Sequence, residues 1–311
     1  MNTFKVSVII RAYNAAKFIQ HAIKSIVEQS YSGPIEIVVC YDEGSMDDTL
    51  KIVYKMQNNL PSNRSISVCQ HPHTTLFRAT QLYALTSYNG YWVTFLDYDN
   101  IMPKNYVDTV IAHVHTASFI FSKVMPIDEN GNIIKNARNW GRVPKNPINI
   151  QRLIKGNYID ANTVWLKRDC AEAIRKMLIN KTLMHRYFDW LNEDWLIALL
   201  GMKYFRTYYV DNAFVLYRFH KSQLTSGLAN EDMYKKMFNL EMNIKTLMAF
   251  YEIAQHDLTS EEIRQLESSV LTLYINYLRC LSAAKNLNTL RTASRIYSLF
   301  HKLLNKVRFL A

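Results

Sequence analysis

The sequence predicts an α/β protein with a mostly parallel β-sheet flanked by helices, followed by a helical C-terminal region. Apolar β-branched runs alternate with segments of helical period over residues 6–96. Strands that alternate with helices form βαβ units with parallel strands. Hydrophobic residues make up 49% of the 311-residue chain, which is ample for a full core. From about Asn230 the apolar residues recur at helical spacing.

The first part of the chain contains two strand–helix pairs. Residues 6–10 (VSVII) form an apolar β-branched run, and the apolar positions from Phe18 to Val27 then recur at helical spacing. Residues 35–40 (IEIVVC) repeat the strand pattern, and a helix follows from about Asp47. The other elements predicted in this part are a weak strand at 66–69, a helix near 76–88 and a strand at 91–96 (YWVTFL).

The pattern is less regular after about Ile101, where glycines and prolines mark loops and a helix is predicted over 186–200. Helices dominate from about Asn230, and Thr259 with Glu262 three positions later forms a capping-box signature for one of them. The predicted organisation is one domain over residues 1–225, with halves 1–100 and 101–225, and a helical region over 226–311.

Composition limits the partners and the compartment. The chain has 37 Lys and Arg against 26 Asp and Glu, a net charge of +11, which suits a nucleotide, a nucleic acid or a membrane surface. The four cysteines are scattered without a CxxC pair, so neither a zinc site nor a disulfide framework is indicated. We expect a cytoplasmic protein, because the apolar runs at 6–10 and 109–122 are too short for a signal peptide core and a membrane span.

Carboxylates follow two of the predicted strands. Asp97 and Asp99 come directly after the strand at 91–96, and Asp42 follows the strand at 35–40. The carboxyl ends of parallel strands meet at one edge of a sheet, where ligands bind. Two carboxylates two positions apart can share a hard divalent cation, which would neutralise a diphosphate. A polar turn at the end of a strand is the alternative interpretation.

Tyr13, after the first strand, adds an aromatic ring to this edge. A carboxylate such as Asp42 can accept a hydrogen bond from the ring N–H of a base while an aromatic ring packs against that base. These two residue types therefore suit a pyrimidine pocket. Turn chemistry, with a helix N-cap at Asp47 or Asp48, would explain this stretch without any ligand.

Three segments in order, VSVIIRAYNAAKFIQHAIKSIVEQSY, IEIVVCYDEGSMDDT and NGYWVTFLDYDNIMP, resemble the family 2 glycosyltransferases of the GT-A fold. The resemblance covers about residues 5–225 and lies in the combination of segments. It implies a Rossmann-like mixed sheet with a nucleotide-binding half (1–100) and an acceptor-side half (101–225). It also implies inverting hexosyl or N-acetylhexosaminyl transfer from a UDP-sugar to a hydroxyl, with Mn²⁺ or Mg²⁺, in surface polysaccharide or glycoconjugate synthesis.

The resemblance also assigns residues to the donor. Those that would contact the nucleotide are Arg11 through its backbone, Tyr13, Asp42, Arg78 and Asp97, and Asp99 would be the direct metal ligand. Arg11 departs from the family, which usually has Pro or Thr there. Arg78 falls near a family arginine that approaches the base or phosphates, but the surrounding ATQLYAL matches the family pattern poorly.

The later segments NEDW and YRFH extend the resemblance. By the first, Asp194 would be the catalytic base that takes the acceptor's proton, and Glu193 would position the acceptor or the donor sugar. By the second, Arg218 would pair with phosphate oxygens and His220 would be a further metal ligand. The alternative interpretations are that Asp194 is a first-turn acid stabilised by the helix dipole and that His220 is a structural histidine.

The segment from Ser268 to Ala311 has no acidic residue, and bases are interspersed with an apolar helix face. This pattern suits anionic lipid headgroups, so peripheral contact with the inner face of the membrane remains open. Helix packing or a homo-oligomer contact through these helices is the alternative. The acceptor could be a glycan, a lipid-linked oligosaccharide or a protein.

The sequence lacks the motifs of other classes of nucleotide-binding enzyme. RAYNAAKF after the first strand contains no glycine, which excludes the GxGxxG fingerprint, and GxxxxGK[ST] is also missing from the sequence. Two alternatives to an enzyme stay open: a non-catalytic glycosyltransferase-like partner subunit, and a basic nucleic-acid-binding α/β protein. The sequence carries no RNA-binding motif, so nucleic acid is not the expected partner.

Overall fold

The computed structural model describes residues 3–73, 85–135, 143–179, 191–220 and 233–284. Arg78, most of the helix predicted near 76–88 and the tail beyond 284 lie outside these residues. The chain divides into two compact units. The first comprises Met1–Ile148, Tyr158–Leu178 and Leu200–Gln223, and the second comprises Asn149–Asn157, Ile179–Leu199 and Leu224–Ala311.

The first unit is built on a seven-stranded sheet of order β3-β2-β1-β4-β6-β5-β7. Its strands are β1 (Val6–Ala12), β2 (Ile35–Asp42), β3 (Arg64–His71), β4 (Trp92–Asp97), β5 (Phe119–Ile127), β6 (Trp165–Lys167) and β7 (Thr207–Arg218). Within this sheet β6 is antiparallel to both neighbours, and the other pairings are parallel. The predicted mostly parallel α/β sheet is therefore confirmed, with one antiparallel strand that makes it mixed.

The helices of the first unit are α1 (Ile19–Val27), α2 (Thr49–Gln57), α3 (Tyr106–Ile111) and α5 (Arg168–Ile179), whose last residue belongs to the second unit. A short 3₁₀ turn covers Ala161–Thr163. Helix α1 buries Ile19, Ala22, Ile23 and Ile26, the spacing of one helical face, and so confirms the predicted helix.

The central strands are buried on both faces, as expected for strands covered by helices on each side. Every residue of β2 is buried, and so are six of the seven residues of β1. The strand register places Arg11 beside Asp97 and Asp42 beside His71, all at the carboxyl ends of their strands. This edge of the sheet is where the predicted donor residues were expected to meet.

The second unit is helical in its described part. It contains α4 (Ile150–Lys155), the first turns of α6 (Glu193–Tyr204), α7 (Met233–Ala254) and α8 (Ser260–Ala284). The predicted capping box is confirmed: the Thr259 N–H donates to Glu262 Oε2 at 2.7 Å, and the Glu262 N–H donates to Thr259 Oγ1 at 3.2 Å. Within the described ranges, no helix combines the length and apolarity needed to cross a lipid bilayer.

Candidate functional site

The loops that follow β1 and β2 are hydrogen-bonded to each other. Asn14, which has a left-handed φ of 47°, accepts a hydrogen bond from the Met46 N–H at 2.8 Å. The Ala15 N–H donates to Thr49 Oγ1, and the Ala16 N–H donates to an Asp47 carboxylate oxygen, each at 2.8 Å. The two loops thereby form one wall at the carboxyl edge of the sheet.

Asp42 and Tyr13, at this wall, both contact the side chain of His73. Asp42 is only 4% exposed, and its Oδ1 accepts from the Gly44 N–H at 2.8 Å. The Nδ1 atom of His73 is hydrogen-bonded to the same oxygen at 2.8 Å, and the His73 ring stacks on Tyr13 with 5.3 Å between centroids. A planar nitrogen heterocycle therefore occupies the position that the sequence predicts for a base.

Asp97 is held from two sides. The Arg11 guanidinium donates to Asp97 Oδ1 from Nη2 at 2.6 Å and from Nε at 3.2 Å. On the other side Asn162 accepts from the Asp97 N–H at 2.5 Å and donates from Nδ2 to Asp97 Oδ2 at 2.9 Å. The same amide donates to Asp160 at 2.7 Å. Burial raises the pKa of Asp160 to about 6, and its hydrogen bonds with Asn162 oppose that rise.

Asp99 and His220 form a buried pair at the ends of β4 and β7. His220 Nε2 lies 2.9 Å from Asp99 Oδ2, and the two residues are 6% and 7% exposed. Burial raises the pKa of Asp99, the charge of Asp97 adds to that rise, and His220 opposes it. The Phe18 ring packs against His220, with 4.7 Å between the two ring centroids.

The pair fits a divalent cation of the kind that also binds a diphosphate. Two ligand atoms bound side by side at about 2.0–2.1 Å from an octahedral ion are separated by about 3 Å, close to the distance seen here. Among the described residues no group of three His, Cys, Asp or Glu side chains is placed to hold a metal. An ion at Asp99 and His220 would therefore take its other ligands from substrate and water, as Mg²⁺ usually does.

Arg218 stabilises the backbone around this pair. It is 3% exposed, and its Nε donates to the Asp99 carbonyl at 2.8 Å while Nη1 donates to the Glu129 carbonyl at 2.6 Å. The guanidinium also lies over the Phe18 ring, 5.1 Å from the centroid. Its phosphate contact stays a prediction, and it would need N–H groups other than these two.

Glu193 and Asp194 lie in the first turn of α6, within the second unit. The helix begins there because Asn192 caps it: the Trp195 N–H donates to Asn192 Oδ1 at 3.1 Å. The Asn192 N–H in turn donates to Thr246 Oγ1 of α7 at 2.7 Å. The structure thus orients this turn within its own unit, and the approach of Asp194 to the donor stays a prediction.

The structure brings together Arg11, Tyr13, Asp42, Asp97, Asp99, Arg218 and His220 at one edge of the first unit's sheet. It also adds three residues that the sequence pattern did not predict: His73, Asp160 and Asn162. An HPH tripeptide at 71–73, which begins at the last residue of β3, was a signal for His73. Asp160 and Asn162 lie in the poorly patterned stretch after Ile101, where no local signal marked them.

Comparison with known proteins identifies the family. Residues 7–181 match the model described as "Glycosyl transferase family 2". The UDP-Glc:alpha-D-GlcNAc-diphosphoundecaprenol beta-1,3-glucosyltransferase WfaP of Escherichia coli is 26% identical over 250 residues, 79% of this chain and 91% of WfaP. The chondroitin synthase of Pasteurella multocida (strain Pm70) is 28% identical over 138 residues, 43% of this chain and 14% of that protein. The match therefore spans a small part of the synthase.

Solved structures show the same fold. S. aureus TarS 1-349 in complex with UDP-GlcNAc superposes with a TM-score of 0.68 at 18% identity, covering 96% of this chain and 81% of that one. The mannosyltransferase PcManGT from Pyrobaculum calidifontis, in complex with GDP-Man and Mn²⁺, gives a TM-score of 0.52 at 16% identity, covering 98% and 83%. At these identities the likeness establishes the fold, and the predicted GT-A architecture is confirmed.

Proposed function

The chain belongs to glycosyl transferase family 2, and from that premise we propose a metal-dependent, inverting transfer of a sugar from a UDP-sugar to a hydroxyl acceptor. The observation that carries the proposal is the buried Asp99–His220 pair, which lies close to Asp97, a carboxylate held in place by Arg11 and Asn162. The WfaP name specifies a UDP-sugar donor, and the TarS complex contains one; both facts support the same donor class here.

The uridine base would bind between Tyr13 and Asp42. Tyr13 is 38% exposed and offers a ring face, while the nearly buried Asp42 offers a carboxylate oxygen for the base N–H. His73, whose side chain is 48% exposed, must leave this position when the base enters. Arg78, which is not among the described residues, would approach the base or the phosphates if it follows the family pattern.

Asp97 would contact the ribose. Its carboxylate cannot rotate freely because Arg11 and Asn162 hold both of its oxygens. Arg11, the departure from the family pattern, would therefore act through Asp97 as well as through its backbone. A carboxylate held in this way keeps its orientation whether or not the donor is bound, which lowers the entropy lost on binding.

Asp99 and His220 would hold Mn²⁺ or Mg²⁺, which when bound supplies positive charge to the diphosphate leaving group. Arg218 would keep the Asp99 main chain in place through its hydrogen bond to the Asp99 carbonyl, and it would also contact phosphate oxygens. The protein thereby gathers its positive and metal-binding groups where negative charge develops.

Asp194 would accept the acceptor's proton as the new C–O bond forms, with Glu193 positioning the acceptor or donor sugar. An alcohol is a poor nucleophile at neutral pH, and a positioned base contributes roughly 100-fold to 10,000-fold. Attack from the face opposite the diphosphate inverts the anomeric carbon. A surface polysaccharide or glycoconjugate precursor would supply the hydroxyl, in the cytoplasm or at the inner face of the membrane.

A panel of UDP-sugars and GDP-mannose tests the proposal, each with and without Mn²⁺ or Mg²⁺. A UDP-sugar should raise the melting temperature in a metal-dependent way and be slowly hydrolysed with release of UDP. A non-catalytic partner subunit would bind UDP but would not hydrolyse any of the UDP-sugars. Failure of UDP with Mn²⁺ to bind by calorimetry would exclude the proposed donor.

A further inference from the structure

A cavity of about 300 Å³ lies at the opposite edge of the first unit's sheet, at the amino ends of β1 and β4. Its lining includes Phe4, Tyr91, His115, Lys167 and Arg206. Strand β1 has seven residues, a span of about 20 Å, and it leads away from this cavity toward Arg11. The cavity is therefore separate from the proposed donor site.

Positive charge dominates the lining of this cavity. Lys167 and Arg206 are cations, and the acidic partner there is Asp169, whose carboxylate lies 3.0 Å from Lys167 Nζ and is 64% exposed. The backbone of Arg206 is fixed, because its carbonyl accepts from the Ser118 N–H at 2.9 Å. Within the described part of the chain, the exposed Arg206 guanidinium makes no hydrogen bond or ion pair.

A cluster of aromatic rings packs beside Lys167 at the cavity. The Phe4 and Tyr91 rings stack with 5.1 Å between centroids, and Lys167 Nζ lies 5.6 Å from the Tyr91 centroid. The His115 ring packs on Phe4 at 5.8 Å. Packed rings restrict the motion of the side chains beside them, so Lys167 is held at the lining of the cavity in advance of any ligand.

We propose that this cavity is a second anion site, which binds a phosphate or phosphodiester group through Arg206 and Lys167. A guanidinium offers paired N–H donors that match phosphate oxygens, and an ammonium adds a compact charge. The volume suits a phosphate with a small attached group. The phosphate belongs either to an anionic lipid headgroup or to a soluble phosphate ester, and both present the same oxygens to the site.

The test compares two variants of the full chain that lose equal charge. Lys167→Gln/Arg206→Gln removes the two cations of the cavity, and Lys51→Gln/Lys55→Gln removes two exposed cations of α2. Inorganic pyrophosphate is titrated by calorimetry without UDP or divalent metal, so that it cannot bind through a metal ion at the donor site. Sedimentation with phosphatidylcholine vesicles, with and without phosphatidylglycerol, measures headgroup binding.

The cavity variant should bind pyrophosphate, phosphatidylglycerol vesicles or both about tenfold more weakly than wild type, while the α2 variant matches wild type. A vesicle effect alone assigns a lipid headgroup, and a pyrophosphate effect alone assigns a soluble ester. Equal losses in both variants, no loss in the cavity variant, or wild-type protein that binds neither probe would overturn the proposal.

The proposal is independent of the donor assignment. UDP affinity and melting temperature should be unchanged in the cavity variant, because neither cation lies at the donor edge. The pyrophosphate titration contains neither UDP nor metal, so the two variants can be compared whether or not UDP binds. Failure of the proposed function and failure of this anion site are thus observed separately.

Discussion

Asn162 binds both the main chain and the carboxylate of Asp97, at 2.5 Å and 2.9 Å. The two residues are 65 positions apart in the sequence, so this contact exists only in the folded sheet. Because Arg11 holds the other oxygen of the carboxylate, Asp97 is oriented before any donor arrives. Asn162 is thus a positioning residue of the proposed donor site.

Replacing Asn162 with alanine should release Asp97 without removing its charge. Loss of a partner that orients a functional side chain typically costs 10-fold to 100-fold, and we expect kcat/KM for the UDP-sugar to fall by about tenfold or more. Steady-state assays over a range of donor concentrations measure this. Asn105→Ala, which changes an exposed asparagine of the same unit, should leave the kinetics unchanged.

Separate variants at Asp99 and Asp194 should distinguish an effect on donor binding from an effect on the chemical step. Asp99→Asn removes a proposed metal ligand, so metal-dependent UDP binding and turnover should be lost together. Asp194→Asn removes the proposed base, so UDP should bind as in wild type while kcat falls roughly 100-fold to 10,000-fold. Calorimetry with and without Mn²⁺, combined with transfer assays, measures both. Loss of UDP binding in Asp194→Asn would contradict the assignment of the base.

The early strands could be predicted because their apolar runs are continuous. Strands β1 and β2 are buried on both faces and read as β-branched stretches whatever surrounds them. The strands after Ile101 lack that pattern: β5 has an irregular register between Phe121 and Lys123, and β7 carries exposed Asp211 and Asn212 in its middle. Local periodicity could not identify these strands, since their pairing depends on tertiary contacts.

The residues of the candidate site also fall into those that could be predicted from the sequence and those that could not. Asp42, Asp97 and Asp99 could be predicted as a group because each lies at or just beyond the carboxyl end of a predicted parallel strand. The contacts of His73 and Asn162 could not, because a polar side chain in a loop has no periodicity that marks its partner. Nor does any local signal indicate that residues 149–157 and 179–199 belong with the helical unit.

Removing the His73 ring should strengthen donor binding. His73 is hydrogen-bonded to Asp42 and stacked on Tyr13, the two groups proposed to bind the base. When one conformation blocks a site, the apparent affinity is reduced to the fraction of the protein in which the site is open. His73→Ala should therefore lower the Kd for UDP by about threefold to tenfold. Tyr13→Ala should instead raise it by a similar factor, since a ring contact is lost. Weaker UDP binding in His73→Ala would show that His73 contributes to the bound state.

Glu36 should make the fold sensitive to acid. Burial opposes its ionisation, but hydrogen bonds from Ser7 at 2.6 Å and from Asn89 at 2.8 and 3.0 Å outweigh burial and lower the pKa of Glu36. The unfolded chain then binds the proton more readily than the folded one. This contribution is complete above the unfolded pKa of about 4.3 and is lost as the pH falls through the lower folded value.

Glu36→Gln should therefore lower the free energy of unfolding at pH 7 by about 1–3 kcal/mol, because donors that face the carboxylate lose an acceptor. The difference between variant and wild type should shrink as the pH falls below about 4. Urea unfolding at a series of pH values measures both effects. A difference that stays constant across the series would show that the charge of Glu36 does not stabilise the folded state.

The capping box of α8 offers a stability test within the second unit. Thr259 and Glu262 satisfy each other's N–H groups, which would otherwise lack partners at the helix start. Thr259→Ala removes one of the two bonds and should cost about 1 kcal/mol. Ser268→Ala is the matched control, because this exposed serine lies inside the same helix, where alanine is the better helix former and should be neutral or slightly stabilising. Urea unfolding followed by circular dichroism should separate the two variants. Equal effects would mean that the start of α8 is stabilised by packing of its apolar face and not by its cap.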